Sequence, residues 1–230
     1  MNSKCNNCID SKDSIFRVLT AKEKKILKES TACVHYKKGE NIFKEGFRPS
    51  GLISLSKGKV KIFKEGVGGR EQIIRLAKSN DFIGFRALFA DDYYSASAIA
   101  IENSSICVID KKELLKFIKQ NNELALQIIK VLAKDLGESE RKIISLTQKH
   151  LRGRLAESLL LLADTYGLKS DKQTMKVKLA REDLANMSNM TASNAIKTLY
   201  GFAEENVVEL EGKVIKILNR KELEKISELG

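Results

Sequence analysis

The stretch Arg181–Phe202 carries the side chains with the clearest chemical use. It reads REDLANMSNMTASNAIKTLYGF, a pattern that predicts two short helices joined by a tight turn. Asn189 falls where such a turn needs left-handed backbone, which Asn tolerates better than most residues. Thr191 is a good N-cap for the second helix. Helical spacing directs three apolar residues of that helix inward: Ala195, Leu199 and Phe202.

The outward residues of the second helix suit contact with DNA. They are small or polar groups with one long cation: Ala192, Ser193, Asn194, Lys197 and Tyr200. The first turn of a recognition helix reaches base edges in the major groove. An ordinary pair of amphipathic helices would explain the same residues. However, a two-stranded wing is predicted over 207–217, with its turn at Glu211-Gly212, and the combination indicates a winged DNA-binding module.

The chain offers no catalytic constellation beside this module. We find no Ser/His/Asp or Cys/His arrangement, no Gly-rich phosphate loop and no metal quartet. Two histidines in 230 residues leave little scope for imidazole catalysis, and we expect no enzymatic activity. A third class stays open, an interaction module that keeps the architecture but has lost DNA readout.

Net charge supports a nucleic-acid partner only weakly. The chain carries +11, which favours a polyanion. From His150 onward, however, the chain has 13 basic and 12 acidic residues. The surplus of positive charge therefore lies outside the predicted winged DNA-binding module, which we call the reader.

The sequence predicts a cytoplasmic protein. No stretch reaches the roughly 20 apolar residues that a bilayer span needs, so we expect no membrane association. The N-terminus MNSKCNNCIDSKD lacks the apolar core of a secretory signal. Four cysteines are too few for a disulfide scaffold, and we expect them to be free thiols by default.

The first hundred residues predict a helix followed by a small β-roll. The helix should span 15–29, with Thr20 as a possible N-cap. Short apolar runs separated by glycines and charges then predict strands at 41–43, 52–55, 59–63, 72–76, 95–101 and 105–109. A further short strand is predicted at 175–179, ahead of the two-helix motif.

A long helix from Asn122 to about Gln148 should connect the roll to the reader, after a shorter one at Lys111–Gln120. Its apolar residues and one serine recur in steps of three and four: Ile129, Leu132, Leu136, Ser139, Ile143 and Leu146. Packing against the chain's own roll would explain them. We favour a homodimer seam, since paired helices would present two readers to palindromic half-sites. The predicted domains are 1–149, which includes the dimerisation helix, and 150–230.

These parts, in this order, resemble the Crp/Fnr family of bacterial transcription regulators over about residues 15–225. The resemblance rests on KGE at 38–40, EG at 45–46, KG at 57–58, DFIG at 81–84, ALF at 87–89, GRLAESLLLLA at 153–163 and the two-helix motif. It implies an α+β fold with a cyclic-nucleotide-binding-like β-roll, a dimerising helix and a winged helix-turn-helix domain. It also implies a homodimeric DNA-binding regulator that works with RNA polymerase.

The resemblance assigns further residues to DNA. Arg181 matches a backbone-phosphate contact, and Thr191 and Asn194 match phosphate anchors at the start of the recognition helix. The family's base-reading Arg and Glu are replaced, because the matching positions hold Ala192, Ser193 and Lys197. The usual operator is therefore not expected.

The family's effector pocket matches a degenerate set here: Gly84, Phe85, Arg86, Tyr94, Ser95 and Ser139. Phe85 stands where nucleotide-binding members carry the Glu that holds the ribose, and Tyr94 stands where they carry the Arg that holds the phosphate. Without that guanidinium a cyclic phosphate loses its main charged hydrogen bonds. We therefore expect no binding of cyclic AMP at physiological concentration.

Oxygen-sensing members hold an iron–sulfur cluster with N-terminal cysteines and one cysteine of the roll. Cys5-x-x-Cys8 has the spacing of two ligands, Cys107 matches the roll ligand, and Ser14 stands at the remaining N-terminal position. Cys33 lies outside the motif and is expected to need backbone rearrangement before it could substitute. A cluster, a labile metal, a Cys5–Cys8 redox switch and simple buried thiols all stay open.

Overall fold

Most strands precede Asp110 and most helices follow it. The computed structural model describes residues 7–11 and 14–230. The strands are β1 (Thr31–Tyr36), β2 (Asn41–Phe43), β3 (Gly51–Lys57), β4 (Lys59–Glu65), β5 (Glu71–Lys78), β6 (Phe82–Ile83), β7 (Ser97–Ala100), β8 (Ser104–Asp110), β9 (Val208–Glu211) and β10 (Val214–Ile217). The helices are α1 (Asn7–Asp10), α2 (Ala21–Glu29), α3 (Phe85–Phe89), α4 (Lys111–Gln120), α5 (Asn122–Gln148), α6 (Leu151–Tyr166), α7 (Arg181–Met187), α8 (Ala192–Glu204) and α9 (Arg220–Leu229). The predicted α+β fold class is confirmed.

Two four-stranded sheets form the roll. Their strand orders are β1-β8-β3-β6 and β2-β7-β4-β5. One face of the first sheet contributes Ile53, Leu55 and Ile106 to an apolar cluster shared with Val60 and Ala98 of the second sheet. The central strands β3 and β8 are antiparallel and read as nearly continuous apolar runs, as expected for strands that are buried on both faces.

The other face of the first sheet is covered by helices. Leu52 and Ile109 are paired across β3 and β8 and belong to a second apolar cluster. That cluster includes residues from the N-terminal segment, α2, α4 and α5: Ile9, Phe16, Leu27, Leu114, Phe117, Leu124 and Ile128. One side of α5 is therefore part of the roll's own core.

The chain divides into two compact units. One holds the described residues up to Lys64 together with Ile74–Gly137, and the other holds Glu65–Ile73 together with Glu138–Gly230. The division falls within α5, within β5 and before the last residue of β4. The domain boundary predicted near His150 follows the end of α5 and stays a prediction.

The helix predicted at 15–29 is interrupted. A 3₁₀ turn spans Ile15–Val18, and α2 then begins after Thr20. The side chains of Thr20 and Glu23 each bind the other residue's backbone N–H, a capping box that fixes this start. The predicted N-cap is confirmed, but the single continuous helix is wrong.

The strand predicted at 175–179 is also wrong. Only two isolated bridges form in this region, from Met175 to Leu168 and from Thr174 to Lys216. The wing itself forms as predicted, with β9 antiparallel to β10. Helix α9 was not predicted, and it packs so closely on α6 that a Cβ at Gly153 would lie 2.7 Å from the Cα of Gly230.

Helix α5 has the predicted bounds and is 27 residues long. In the part of the chain that the structure describes, no helix combines the length and apolar character needed to cross a membrane.

Two turn glycines of the roll provide a matched test of its packing. Gly39 and Gly58 both have positive φ, +89° and +110°, but a Cβ at Gly39 would meet open space whereas one at Gly58 would lie 2.7 Å from the Cα of Ser104. We expect Gly39→Ala to lower the free energy of unfolding by about 1–2 kcal/mol through backbone strain. Gly58→Ala should lower it by roughly 1–3 kcal/mol more, because the backbone must move. Guanidinium unfolding curves check this, and equal losses would contradict it.

Candidate nucleic-acid interface and effector pocket

The turn between α7 and α8 has the predicted geometry. Asn189 has φ +50°, so it is left-handed as expected. Thr191 caps α8, and its Oγ1 accepts a hydrogen bond from the N–H of Asn194 at 3.2 Å. The residues expected to face inward are buried: Ala195, Leu199 and Phe202.

The outer face of α8 is exposed as predicted. Ala192, Ser193, Asn194 and Lys197 are exposed, and 61% of Tyr200 is accessible. Ile196 is also exposed, which the sequence analysis did not anticipate. The surface is therefore available to a ligand, while the DNA-contact role of each residue stays a prediction.

Arg181 is less free than predicted. Its Nη2 donates a hydrogen bond to the carbonyl oxygen of Gly212 in the wing turn, at 2.7 Å. Burial lowers the pKa of Arg181, and its Nη1 is buried without a hydrogen-bond partner. The guanidinium thus joins the first helix of the motif to the wing and keeps one donor unused, which leaves its predicted phosphate contact open.

Three cations that the sequence analysis missed donate to the polar groups of the turn. Arg70 Nη2 donates to Oδ1 of Asn189 at 3.1 Å, and Arg154 Nη2 donates to the carbonyl oxygen of Asn189 at 3.3 Å. Lys142 Nζ donates to the carbonyl oxygen of Met187 at 2.6 Å. Burial lowers the pKa of Lys142, so this ammonium sits in a partly dry environment beside the end of α7.

A cavity of about 130 Å³ lies at the predicted effector pocket. It is lined by five of the six predicted residues: Gly84, Phe85, Arg86, Tyr94 and Ser95. Ser139 does not line it and is exposed on α5. The cavity is smaller than the 300–1,000 Å³ typical of pockets for drug-sized ligands.

An aromatic pair occupies much of this site. The rings of Phe43 and Tyr94 are stacked with centroids 4.0 Å apart. Gly84 has φ +68°, and a Cβ there would lie 2.5 Å from Cε1 of Tyr94, so only glycine leaves room for the stack. Burial raises the pKa of Tyr94 to about 12. The neutral phenol therefore supplies none of the positive charge that a cyclic phosphate needs.

The two arginines beside the cavity are already paired within the protein. Arg75 Nε lies 3.2 Å from a carboxylate oxygen of Asp135, and its Nη1 donates to the carbonyl oxygen of Phe82. Arg86 pairs with Asp92 at 3.2 Å. An anion in the cavity would have to compete with these carboxylates.

The cysteines correct three expectations. Cys8 and Cys107 form a disulfide, with Cα atoms 6.4 Å apart, and no described cysteine is a free thiol. Free thiols and a Cys5–Cys8 pairing are therefore both wrong for this state, because α1 places Cys8 on the sheet over β8. Cys33 needs no backbone rearrangement, since it lies directly opposite Cys107 in the β1–β8 pair. Cys5 lies outside the described residues.

Ser14 has a structural role at the position where the resemblance would place a ligand. Its Oγ accepts from the N–H of Phe16 and donates to the carbonyl oxygen of Cys8. Within residues 7–11 and 14–230, no group of three or more His, Cys, Asp or Glu side chains is arranged to hold a metal ion.

Four of the six residues of the predicted seam lie on the face of α5 that is left uncovered, and the seam itself stays a prediction. Ile129, Leu136 and Ile143 are 58%, 62% and 61% exposed, and Ser139 is exposed too. Leu132 instead packs partly against the roll's own core, and Leu146 is half-buried. Leu126 and Ala133 are exposed and continue the stripe in steps of three and four.

Comparisons with known proteins agree with this architecture. Residues 33–121 match the cyclic nucleotide-binding domain, and residues 153–226 match the Crp-like helix-turn-helix domain. The CRP-like cAMP-activated global transcriptional regulator of Mycobacterium tuberculosis is 27% identical over 192 residues, which cover 83% of this chain and 85% of that protein. Electron transport regulator A of Shewanella oneidensis is 28% identical over 187 residues, with 81% and 74% covered.

Solved structures show the same fold. The structure of FixK2 from Bradyrhizobium japonicum has a TM-score of 0.76 at 21% identity and covers 85% of this chain and 96% of that one. With the sensor roll and the winged reader matched in the same order, the chain belongs to the Crp/Fnr family of DNA-binding transcription regulators.

Proposed function

We propose that two copies of this chain pair along α5 and bind a palindromic operator on double-stranded DNA, acting with RNA polymerase in the cytoplasm. The observation that carries the proposal is the exposed first turn of α8, presented by a left-handed residue and a capped helix start. The functional division into a sensor over 1–149 and a reader over 150–230 is part of the same proposal. Regulation of transcription, with no catalysis, is the activity that these parts support.

The exposed stripe of α5 supports the dimer. Large apolar side chains at Ile129, Leu136 and Ile143 recur every seven residues on a surface that would otherwise face water. A second copy of the same helix would cover them through a two-fold axis. Two readers related by such an axis match the symmetry of a palindrome.

Leu136→Glu should separate the dimer. The substitution places a carboxylate on each side of the seam, and burying two like charges opposes pairing strongly. We expect the dissociation constant of the dimer to rise about a hundredfold or more. Sedimentation equilibrium measures it, and Leu161→Glu, at an exposed leucine of α6, is the matched control. A wild-type monomer, or an unaffected Leu136→Glu dimer, would refute the seam.

Ser193 and Lys197 are the residues of α8 that we expect to contribute most to binding. The duplex is first selected from a random library with the wild-type protein. The double variant Ser193→Ala with Lys197→Ala should then bind it roughly a hundredfold more weakly, because one base-edge or phosphate contact is lost at each position. The control is Lys221→Ala, which removes an exposed lysine of α9. Equal binding to all random duplexes would favour the module without readout.

The signal is a separate question, and the structure supports a sensor other than a cyclic-AMP pocket. The cavity is small, and the stacked rings of Phe43 and Tyr94 form part of its wall. Sulfur chemistry has a specific observation in its favour, because Cys8, Cys33 and Cys107 converge on one face of β1 and β8. We therefore infer cysteine-based redox sensing as the second candidate function.

The surroundings of these cysteines fit a sulfur-bound group. Ser54 is paired with Cys107 across β3 and β8, and its hydroxyl is buried without a hydrogen-bond partner. Such a donor could bind a thiolate or a sulfide. Once reduced, Cys8, Cys33 and Cys107, with Cys5 of the predicted motif, would hold an iron–sulfur cluster, which supplies oxidant-sensitive electron exchange when bound. In the oxidised chain the disulfide instead fixes α1 to β8.

Redox state should change DNA affinity by at least about threefold, which corresponds to ~0.65 kcal/mol of coupling. The selected duplex is titrated with protein that has been air-oxidised or reduced under anaerobic conditions. Cys107→Ser should abolish the difference, whereas Ser105→Ala, two residues earlier in β8, should retain it. A protein that absorbs visible light and contains iron and sulfide holds a cluster. A protein without that absorbance, whose cysteines can be labelled only after reduction, holds the disulfide instead. Equal affinity in both states would contradict sulfur-based sensing.

A further inference from the structure

The turn that precedes the recognition helix is held by three cations from different parts of the sequence. Arg154 belongs to α6 and Lys142 to α5, so both come from neighbouring helices. Arg70 is different, because it comes from the β4–β5 connection, 119 residues earlier in the chain than Asn189. Residues 65–73 belong to the same compact unit as the reader.

Asn189 is the point at which a small movement would be amplified. It is the left-handed residue of the turn, and it lies two positions before the N-cap Thr191. Its side-chain oxygen accepts from Arg70 and its backbone oxygen accepts from Arg154. Both contacts therefore hold the turn from which α8, with Ser193 in its first turn, begins.

Arg70 also lies next to a strand that lines the cavity. The connection is closed by a hydrogen bond from the N–H of Gly66 to the carbonyl oxygen of Arg70, at 2.8 Å. β5 follows immediately, and its residues Ile74 and Arg75 line the cavity. Arg75 follows Arg70 by five residue steps, or roughly 17 Å at about 3.3 Å per residue of strand. The backbone that carries Arg70 therefore continues directly into β5.

We propose that Arg70 is a positioning residue for DNA recognition, which acts through Asn189 and couples β5 to the start of α8. This inference rests on the proposed DNA-binding function and names one route of its regulation. Arg70 holds the side chain of Asn189, and Asn189 holds the direction in which α8 leaves the turn. A shift of β5 caused by a change at Ile74 or Arg75 reaches α8 by this contact.

A direct phosphate contact by Arg70 is the competing explanation, since the side chain is an exposed cation. The two explanations differ in three measurable ways. A phosphate contact would lower the salt slope of binding by about 1 when Arg70 is neutralised. It would be retained by Arg70→Lys, which keeps the charge, and it would be independent of Asn189.

The test is a double-mutant cycle on the full-length protein and its selected duplex, measured at several salt concentrations. The variants are Arg70→Gln, Asn189→Gly, their combination and Arg70→Lys. Asn189→Gly removes the acceptor while glycine still adopts positive φ. Arg48→Gln is the charge-matched control, since Arg48 lies over the ring of Tyr93 and is not part of the turn.

We expect Arg70→Gln and Asn189→Gly each to weaken binding by roughly three- to tenfold, the range for one exposed charge-assisted hydrogen bond. The double variant should bind the duplex no more weakly than the single variant that binds less well. The salt slope of every variant should equal that of the wild type. Arg70→Lys should bind as weakly as Arg70→Gln. Additive losses, a lower slope or recovery by lysine would overturn the proposal. Loss of binding in Arg48→Gln to the same extent would overturn it too.

Hydrogen exchange on the DNA-free protein separates this proposal from the proposed function. Arg70→Gln should raise the exchange rate of the Asn194 and Ala195 amides by about three- to tenfold, and should leave those of α9 unchanged. If the wild-type protein binds no DNA, the proposed function fails and the exchange rates alone decide whether Arg70 positions the turn. Unchanged exchange at these amides would overturn the positioning role.

Discussion

The geometry of the DNA reader depends on one backbone conformation, the left-handed φ of Asn189. A left-handed residue other than glycine is held at a cost of about 1–2 kcal/mol, and the surrounding contacts must offset it. Ser188 and Ser158 share a buried hydrogen bond at 2.8 Å beside the turn, and cations bind its carbonyl oxygens. Because these partners come from α5 and α6, the angle between α7 and α8 is set by the whole unit and not by the two helices alone.

The sensor unit depends on a different constraint, a sheet that is buried on both faces. β3 and β8 have no solvent side, because the second sheet covers one face and the N-terminal segment, α2, α4 and α5 cover the other. Cys107 lies in β8 between these layers, so a movement of the covering helices at Cys107 also alters the packing of the core. This gives the cysteines a mechanical connection to α5 that surface thiols would lack.

Local signals were sufficient for most elements of the fold. Thr20 and Thr191 marked helix starts, Asn189 marked the turn, and apolar spacing gave the bounds of α5. The sequence could not show that Cys33 faces Cys107, because strand register depends on pairing across the roll. Arg70, Lys142 and Arg154 were missed for a similar reason, since a hydrogen bond to the polar groups of a distant turn leaves no pattern in the sequence. That Leu132 packs partly against the roll's core could not be foreseen either, because the side of α5 that the roll covers is a tertiary property.

The stack of Phe43 on Tyr94 has a consequence for how selective the cavity is. A molecule too large for the cavity of about 130 Å³ would have to separate the two rings, which are tethered to the chain and therefore stay close by. A stacked aromatic pair is worth about 0.5–1.5 kcal/mol beyond its buried area, and a molecule that separates the rings loses about that amount of affinity. Such a molecule would be favoured only where its own contact with the two rings replaces the contact that it breaks.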